Sequence, residues 1–382
     1  MFKIFRELGG TESECKICGS KSILISRGVG VCLGCIRDKP EEALVYTSMK
    51  HAESKRYYNA PSQPPKKGVN CGFCVNRCKI PSEEKGYCGI VTNVKGKLVR
   101  LAGTPEKGLL SWYYDPLPTN CVADWVCPGG TGAGYPKYAY CSGSEYGYAN
   151  LAVFFGGCTF DCLFCQNWHF RENTKELKPL MSSEELAGKA KDNVSCVCFF
   201  GGDPTPQMPH ALEAAEIATR KATEEARIFR VCWETNGSMN WNLARRAMEL
   251  SLKSGGCMKF DLKCFDENLN TALCGVSNEY TLQNFERLGQ MIDARPEPPP
   301  LVASTLLIPG YIDKDEVQRI AEFIAGIDPN IPYALLGFFP HYFMRDLPAT
   351  SRNHAHECLE AAKKAGLKKV RIGNVHLLSS AY

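Results

Sequence analysis

The chain has no apolar run approaching the ~18 consecutive residues of a membrane span. A helical membrane protein is therefore not expected. It also has no block of like charge: 45 Lys and Arg face 41 Asp and Glu across 382 residues, a net charge of +4. Without a basic stripe to neutralise phosphates, nucleic acid is not indicated as an obligate partner. The first eight residues, Met-Phe-Lys-Ile-Phe-Arg-Glu-Leu, hold too many charges and too little apolar length for a secretory signal. A phosphate loop is missing as well, because no Lys-Ser or Lys-Thr follows the glycines of Cys127-Pro-Gly-Gly-Thr-Gly-Ala-Gly-Tyr-Pro136 at the required spacing. Together these absences predict a cytoplasmic protein that neither spans a membrane nor uses a P-loop nucleotide site.

What the chain has in excess is cysteine, 21 residues. In a reducing compartment, clustered thiols read as metal ligands rather than disulfides. Residues 1–49 carry two knuckles, Cys15-x2-Cys18 and Cys32-x2-Cys35, thirteen residues apart, the spacing of a four-cysteine zinc ribbon. Four thiolates close the shell of a zinc ion, so this module needs no chemistry beyond folding. Residues 50–67 are polar and proline-containing and read as a linker that tethers the ribbon. Residues 68–149 form a second cysteine-rich segment. Cys71, Cys74, Cys78 and Cys88 supply four ligands for zinc or an iron–sulfur cluster, and the spacing alone does not choose. Cys121, Cys127 and Cys141 follow in a Gly- and Tyr-rich stretch, where an auxiliary iron–sulfur cluster and incidental buried thiols are both open readings.

From residue 150 to 382 the pattern becomes regular. Apolar, β-branched runs at 151–155, 194–200, 228–233, 257–262, 301–308, 333–339 and 370–372 alternate with helical periodicity at 183–191, 210–225, 242–254, 281–294, 315–327 and 353–365. Such alternation predicts a parallel sheet with crossover helices, and Ser182-x-x-Glu185 fits a capping box at the first helix. The unusual residues fall just after the runs: Cys158 to Cys165, Gly201-Gly202-Asp203-Pro204, Glu234-Thr235-Asn236-Gly237, Asp261-Leu-Lys263, Pro340-His341 and Gly373-Asn374. In a β/α barrel those strand ends share one face, on which active sites are built. Six units rather than eight predict an α/β fold of partial, open (β/α)6 type, preceded by the cysteine-rich region with its zinc ribbon.

Cys158, Cys162 and Cys165 stand in C-x3-C-x2-C spacing. Three thiolates hold three corners of a [4Fe–4S] cube, and ordinary cubes take four. One iron is then free for a small molecule. A structural zinc site completed by His169 is the blander alternative, and the pattern of strand ends argues against it. The triplet, with Phe164 and the continuation Cys165-Gln-Asn-Trp168, resembles the cluster motif of the radical S-adenosylmethionine (SAM) superfamily. It is most similar to the pyruvate formate-lyase-activating-enzyme-like branch and to its AmmeMemoRadiSam group, which the segment around Cys88-Gly-Ile-Val-Thr-Asn93 also resembles.

That resemblance implies a [4Fe–4S] cluster on Cys158, Cys162 and Cys165 and SAM as cofactor. It implies that Gly201 and Gly202 admit the methionyl ammonium, with Asp203 standing where the superfamily has Glu. Glu234, Thr235, Asn236 and Asp261 would serve the cofactor or a cation, Lys263 the SAM carboxylate, and His341 the adenine and ribose. The expected activity is reductive cleavage of SAM to a 5′-deoxyadenosyl radical that abstracts hydrogen from a substrate, fed by a low-potential donor of ferredoxin or flavodoxin type. A protein substrate, as in glycyl-radical activation, is the first expectation, with the 127–148 stretch placed to cover the open face or to line a docking groove. Radical modification of a small molecule or nucleic acid is the alternative. So is a non-catalytic electron-transfer adaptor whose cube is closed by Cys198, Cys232 or Cys264. Those three, with Cys196, Cys257, Cys274 and Cys358, otherwise read as reduced core thiols.

Overall fold

The computed structural model describes residues 10–382, so the charged N-terminus and the first nine residues of the 1–49 module lie outside the described residues. The knuckles shape the opening: β1 (Ser13–Glu14) and β2 (Lys21–Ser22) pair antiparallel, and α1 (Leu33–Asp38) carries Cys35. One residue later α2 (Pro40–Arg56) begins, with Pro40 and two acids in its first turn and Lys55 and Arg56 in its last, each placed where the helix dipole favours it. The linker expected over 50–67 is thus helical through Arg56. Its end is also buried, with His51, Ser54 and Lys55 at 4%, 1% and 0% exposure. These residues lack apolar periodicity because hydrogen bonds and charge, rather than apolar contact, bury them.

The ribbon is docked rather than tethered. The Tyr311 hydroxyl accepts from the Ser26 amide (3.0 Å) and donates to the Val31 carbonyl (2.9 Å). Ser26 donates to Asp346 at 2.9 Å, and Arg37 forks onto Asp313 at 2.8 and 3.0 Å.

Two small hairpins follow, β3 (Val69–Asn70) with β4 (Lys79–Ile80), and β5 (Val91–Val94) with β6 (Lys97–Arg100). Then come β7 (Gly108–Pro116) and the one-turn α3 (Pro128–Thr131). The parallel strands are β8 (Ala149–Phe155), β10 (Val194–Gly201), β11 (Arg230–Thr235), β12 (Met258–Asp261), β13 (Leu301–Leu307), β14 (Tyr333–Gly337) and β15 (Val370–Gly373). Their crossovers hold α4 (Phe170–Glu176), β9 (Leu180–Met181), α5 (Ser183–Ala187), α6 (Met208–Glu224), α7 (Trp241–Ser254), α8 (Glu267–Cys274), α9 (Glu279–Gly289), α10 (Lys314–Ile327) and α11 (Arg352–Lys364). The sheet runs β15-β14-β13-β12-β11-β10-β8-β7-β9 and ends on two edges, the open barrel that the pattern predicts.

The capping box is present: Ser182 Oγ accepts from the Glu185 amide (3.1 Å) while the Glu185 carboxylate accepts from the Ser182 amide (2.8 Å). One strand departs from expectation. β7 pairs antiparallel with β8 from Leu110↔Phe155 to Pro116↔Ala149, so the sheet starts inside the segment assigned to the cysteine-rich region. No α-helical crossover announces an antiparallel edge strand, and its apolar alternation is short.

His210 on α6 has no exposed surface. It donates from Nε2 to the Met181 carbonyl (3.0 Å) and meets the Phe155 ring edge-on at 6.0 Å. Burial pushes its pKa down to about 4. The fold therefore holds it neutral, whereas the unfolded chain protonates it near ~6.5. Its contribution is complete above that pH and declines as pH falls toward 4. Thermal unfolding followed from pH 7.5 to 4 should show a falling midpoint, and His210→Gln should flatten the fall.

Candidate functional site

β8 delivers the chain to Gly156-Gly157, and Gly157 at φ +79° turns it into the loop that bears Cys158, Cys162 and Cys165. The Gly157 amide donates to Thr174 Oγ1 on α4 (2.8 Å), and the amides of Asp161 and Leu163 donate to the carbonyls of Cys274 and Leu273 (2.8 and 3.0 Å). Between the first two thiols stands Asp161, fully buried. Its carboxylate accepts from Arg171 of α4 (2.8 Å) and Ser54 of α2 (2.8 Å) and meets His51 Nδ1 at 3.1 Å. Burial opposes its ionisation, yet Arg171, Lys55 and His51 hold its pKa well below the carboxylate range. Lys55 donates to the Tyr87 carbonyl (3.0 Å) and lies 3.3 Å from the centre of the Tyr87 ring.

The three thiols line one cavity of ≈ 280 Å³ that the strand ends also reach, namely Gly201, Gly202 and Asp203 after β10, Glu234 and Asn236 of the β11 end, and Asp261 and Lys263 of the β12 end. A Cβ on Gly201 or Gly202 would collide with the backbone of Phe155 or Gly157, so glycine is required for this approach of β10 to the cluster loop. Asp203 accepts from the Thr205 amide (2.8 Å), the Asn236 amide (2.8 Å) and Thr235 Oγ1 (3.0 Å), tying two strand ends together. The shorter acid is therefore a brace here. Asn236 donates to Thr159 Oγ1 at 2.9 Å. Lys263 pairs with Asp261 at 2.6 Å, and Glu234 with Lys259 at 2.8 Å.

Two assigned residues stand outside this lining. Thr235 is buried behind Asp203, and His341, after β14, faces Phe339 with ring centres 6.3 Å apart. Asn120, Cys121, Arg371 and Asn374 line the cavity without having been assigned to it. Arg371 and Asn374 were legible as strand-end residues. Asn120 and Cys121 come from a loop that only the fold brings round.

The donor set fits a three-thiolate cluster. Arg171 lies beside Cys165, and its Nε and Nη1 have no hydrogen-bond partner although the side chain is fully buried. A buried cation with unspent donors next to thiols matches an anionic sulfur centre.

The other cysteines sort by spacing. Sγ atoms of Cys15, Cys18, Cys32 and Cys35 all lie within 4.8 Å of one another, with Cys15–Cys35 at 3.7 Å and Cys18–Cys32 at 3.8 Å. Among the described residues no other three Cys, His, Asp or Glu ligand atoms are so close. Cys71, Cys74, Cys78 and Cys88 do converge, on a second small cavity shared with Arg100, Thr159 and Thr205. The third group divides: Cys121 and Cys127 share a cavity, while Cys141 bonds the carbonyls of Gly143 and Ser144 elsewhere. The Cys127–Tyr148 stretch does not cover the open face. Tyr140 bonds Ile228 ahead of β11, and Glu145 bonds Arg230 at its start, so the stretch closes the opposite, N-terminal end of the barrel.

Residues 152–324 match the radical SAM superfamily, so the chain carries a radical SAM domain. Its relatives in sequence include proteins named as activating enzymes, at 26–27% identity. An uncharacterized protein of Methanocaldococcus jannaschii is 25% identical over 80% of this chain and 81% of its own length. A putative glycyl-radical enzyme activating enzyme of the same organism is 27% identical over 48% of this chain and 64% of its own. Among solved structures, a domain of pyruvate-formate lyase-activating enzyme from Bacteroides vulgatus aligns with 47% of this chain and 98% of its own, at 22% identity and a TM-score of 0.36. No helix among the described residues is long and apolar enough to cross a membrane.

Removing Asp161 leaves Arg171 and Lys55 buried without their counter-charge, a change that costs about 3–5 kcal/mol. Ser54→Ala removes one hydrogen bond to the same ionised carboxylate and costs about 1.5–3 kcal/mol. Urea unfolding of Asp161→Ala and Ser54→Ala beside the parent should show that ranking.

Proposed function

We propose that the chain is a radical SAM enzyme whose substrate is a polypeptide, with Cys158, Cys162 and Cys165 holding a [4Fe–4S] cluster. The observation that carries this is the meeting of three thiols of one loop with the strand-end glycines, acids and lysine in a single cavity. Such a cluster, when bound with SAM, would supply one electron to cleave the sulfonium to methionine and a 5′-deoxyadenosyl radical able to take hydrogen from a substrate. The protein's part is binding and orientation. Gly201 and Gly202, which line the cavity without side chains, would leave their backbone open to an ammonium, and Lys263, held by Asp261, offers a cation to a carboxylate. Glu234 and Asn236, in the same lining, would serve the cofactor's hydroxyls. Asp203 keeps the β10 and β11 ends in register with the cluster loop. His341 would reach the adenine only if its loop turned toward the cavity.

Spacing separates the remaining metal sites. A tetrahedral zinc with Zn–S bonds of about 2.3 Å sets sulfurs roughly 3.8 Å apart. The Cys15, Cys18, Cys32 and Cys35 thiols are spaced for that, which supports zinc as their metal. The wider Cys71, Cys74, Cys78 and Cys88 set suits an auxiliary iron–sulfur cluster, and Thr159 in its lining is the neighbour of Cys158. A ferredoxin- or flavodoxin-type donor would deliver its electron through that side.

The polypeptide reading is supported by the similarity to a putative glycyl-radical enzyme activating enzyme and by the position of the Cys127–Tyr148 stretch, which leaves the mouth of the cavity uncovered. Protein reconstituted without oxygen and given SAM and a low-potential reductant should form 5′-deoxyadenosine, and Cys162→Ala should abolish it. Unchanged turnover in that variant would defeat the cluster assignment, and a parent protein that forms none would leave the adaptor reading standing. Deuterium-labelled cell extract fractionated by size then tests the substrate: the polypeptide fraction should pass deuterium to 5′-deoxyadenosine, and transfer from small molecules alone would overturn the assignment.

A further inference from the structure

Six cysteines meet inside the barrel, between the plug at its N-terminal end and the reaction cavity. Cys198 on β10 is the register partner of Cys232 on β11, and the Trp233↔Met258 pair sets Cys232 beside Cys257, just ahead of β12. Cys196 lies two residues before Cys198, hence on the same face. Cys121 and Cys127 approach from the loop after β7, and all six line one cavity. Inward positions of a β/α barrel are ordinarily filled by branched apolar side chains. Here three neighbouring strands turn thiols and cations inward instead.

Small buried hydrophobes would not need those cations. Lys259, 2% exposed, donates to Cys121 Sγ at 3.0 Å and Cys198 Sγ at 3.1 Å, and pairs with Glu234. Burial alone disfavours ionisation of Cys121 and Cys198, and an ammonium directed at both sulfurs is the counter-charge that matches them once they bind metal as thiolates. A single tetrahedral ion is not served, because no three of these sulfurs approach within 4.8 Å as the ribbon thiols do. A polynuclear centre spreads its ligands more widely.

We propose that these thiols hold a further iron–sulfur cluster, with ligands drawn from Cys121, Cys127, Cys196, Cys198, Cys232 and Cys257. Cys121 lines this cavity and the reaction cavity alike, and the Lys259–Glu234 pair stands between them. The cluster therefore sits behind the wall of the reaction cavity. It is a binding site in its own right and does not rest on the identity of the substrate.

The test is iron and sulfide counting, with Mössbauer spectra, on the full chain reconstituted without oxygen. Cys198→Ser with Cys232→Ser should lose one cluster's iron, two or four atoms by its type, and should lose the same amount when Cys158, Cys162 and Cys165 are already Ser. Cys358→Ala, which removes a buried thiol on α11, should lose none. Unchanged iron in the double variant, zinc in place of iron, or a disulfide among Cys198, Cys232 and Cys257 would overturn the site. If the double variant does not fold, a chain with Cys71, Cys74, Cys78, Cys88, Cys158, Cys162 and Cys165 all changed to Ser decides. It should still take up iron, and retention of none would refute the assignment.

Discussion

The ion pair between Asp161 and Arg171, sealed from water on both sides, is the constraint on which the site depends. It joins three parts of the chain that the sequence keeps far apart: the cluster loop, α4 behind it, and α2 of the N-terminal module through His51 and Ser54. Two buried cations, Lys55 and Arg171, face one buried carboxylate, and the excess positive charge lies beside thiols. A region charged in this way is costly in isolation and becomes balanced when the thiols are deprotonated. The N-terminal module is therefore a structural part of the cluster site, although no ribbon residue lines the reaction cavity.

The sheet was legible because its signals are local. Seven apolar runs and the turn residues after them gave the strands and the face that carries the site, and Ser182 with Glu185 gave a helix start to the residue. What escaped depends on pairing or on polar burial. The end of α2 reads as linker because His51, Ser54 and Lys55 are buried by hydrogen bonds and charge. β7 lacks the helical crossover that marks parallel strands. The six interior thiols come from four regions of sequence, and only the register of β10, β11 and β12 brings four of them into a row.

The site residues divide along the same line. Gly201, Gly202, Glu234, Asn236, Asp261 and Lys263 line the cavity, as their positions at strand ends require. Asp203 lines it as well but commits its carboxylate to Thr235 and the Asn236 amide, and with Thr235 it sets the frame. A motif therefore tells which residues gather at a strand end, while the direction of each side chain depends on the loop it must hold.

The plug at the N-terminal end of the barrel has a kinetic meaning. Tyr140, Glu145 and Arg230 close that end with a carboxylate–guanidinium pair and hydrogen bonds to the backbone ahead of β11. The barrel is thus shut at its N-terminal end, and the reaction cavity lies at the other. Whatever enters deepest must leave last, so traffic through the mouth imposes an order on arrivals and departures, and a bulky occupant seated there would trap spent fragments beneath it until it left.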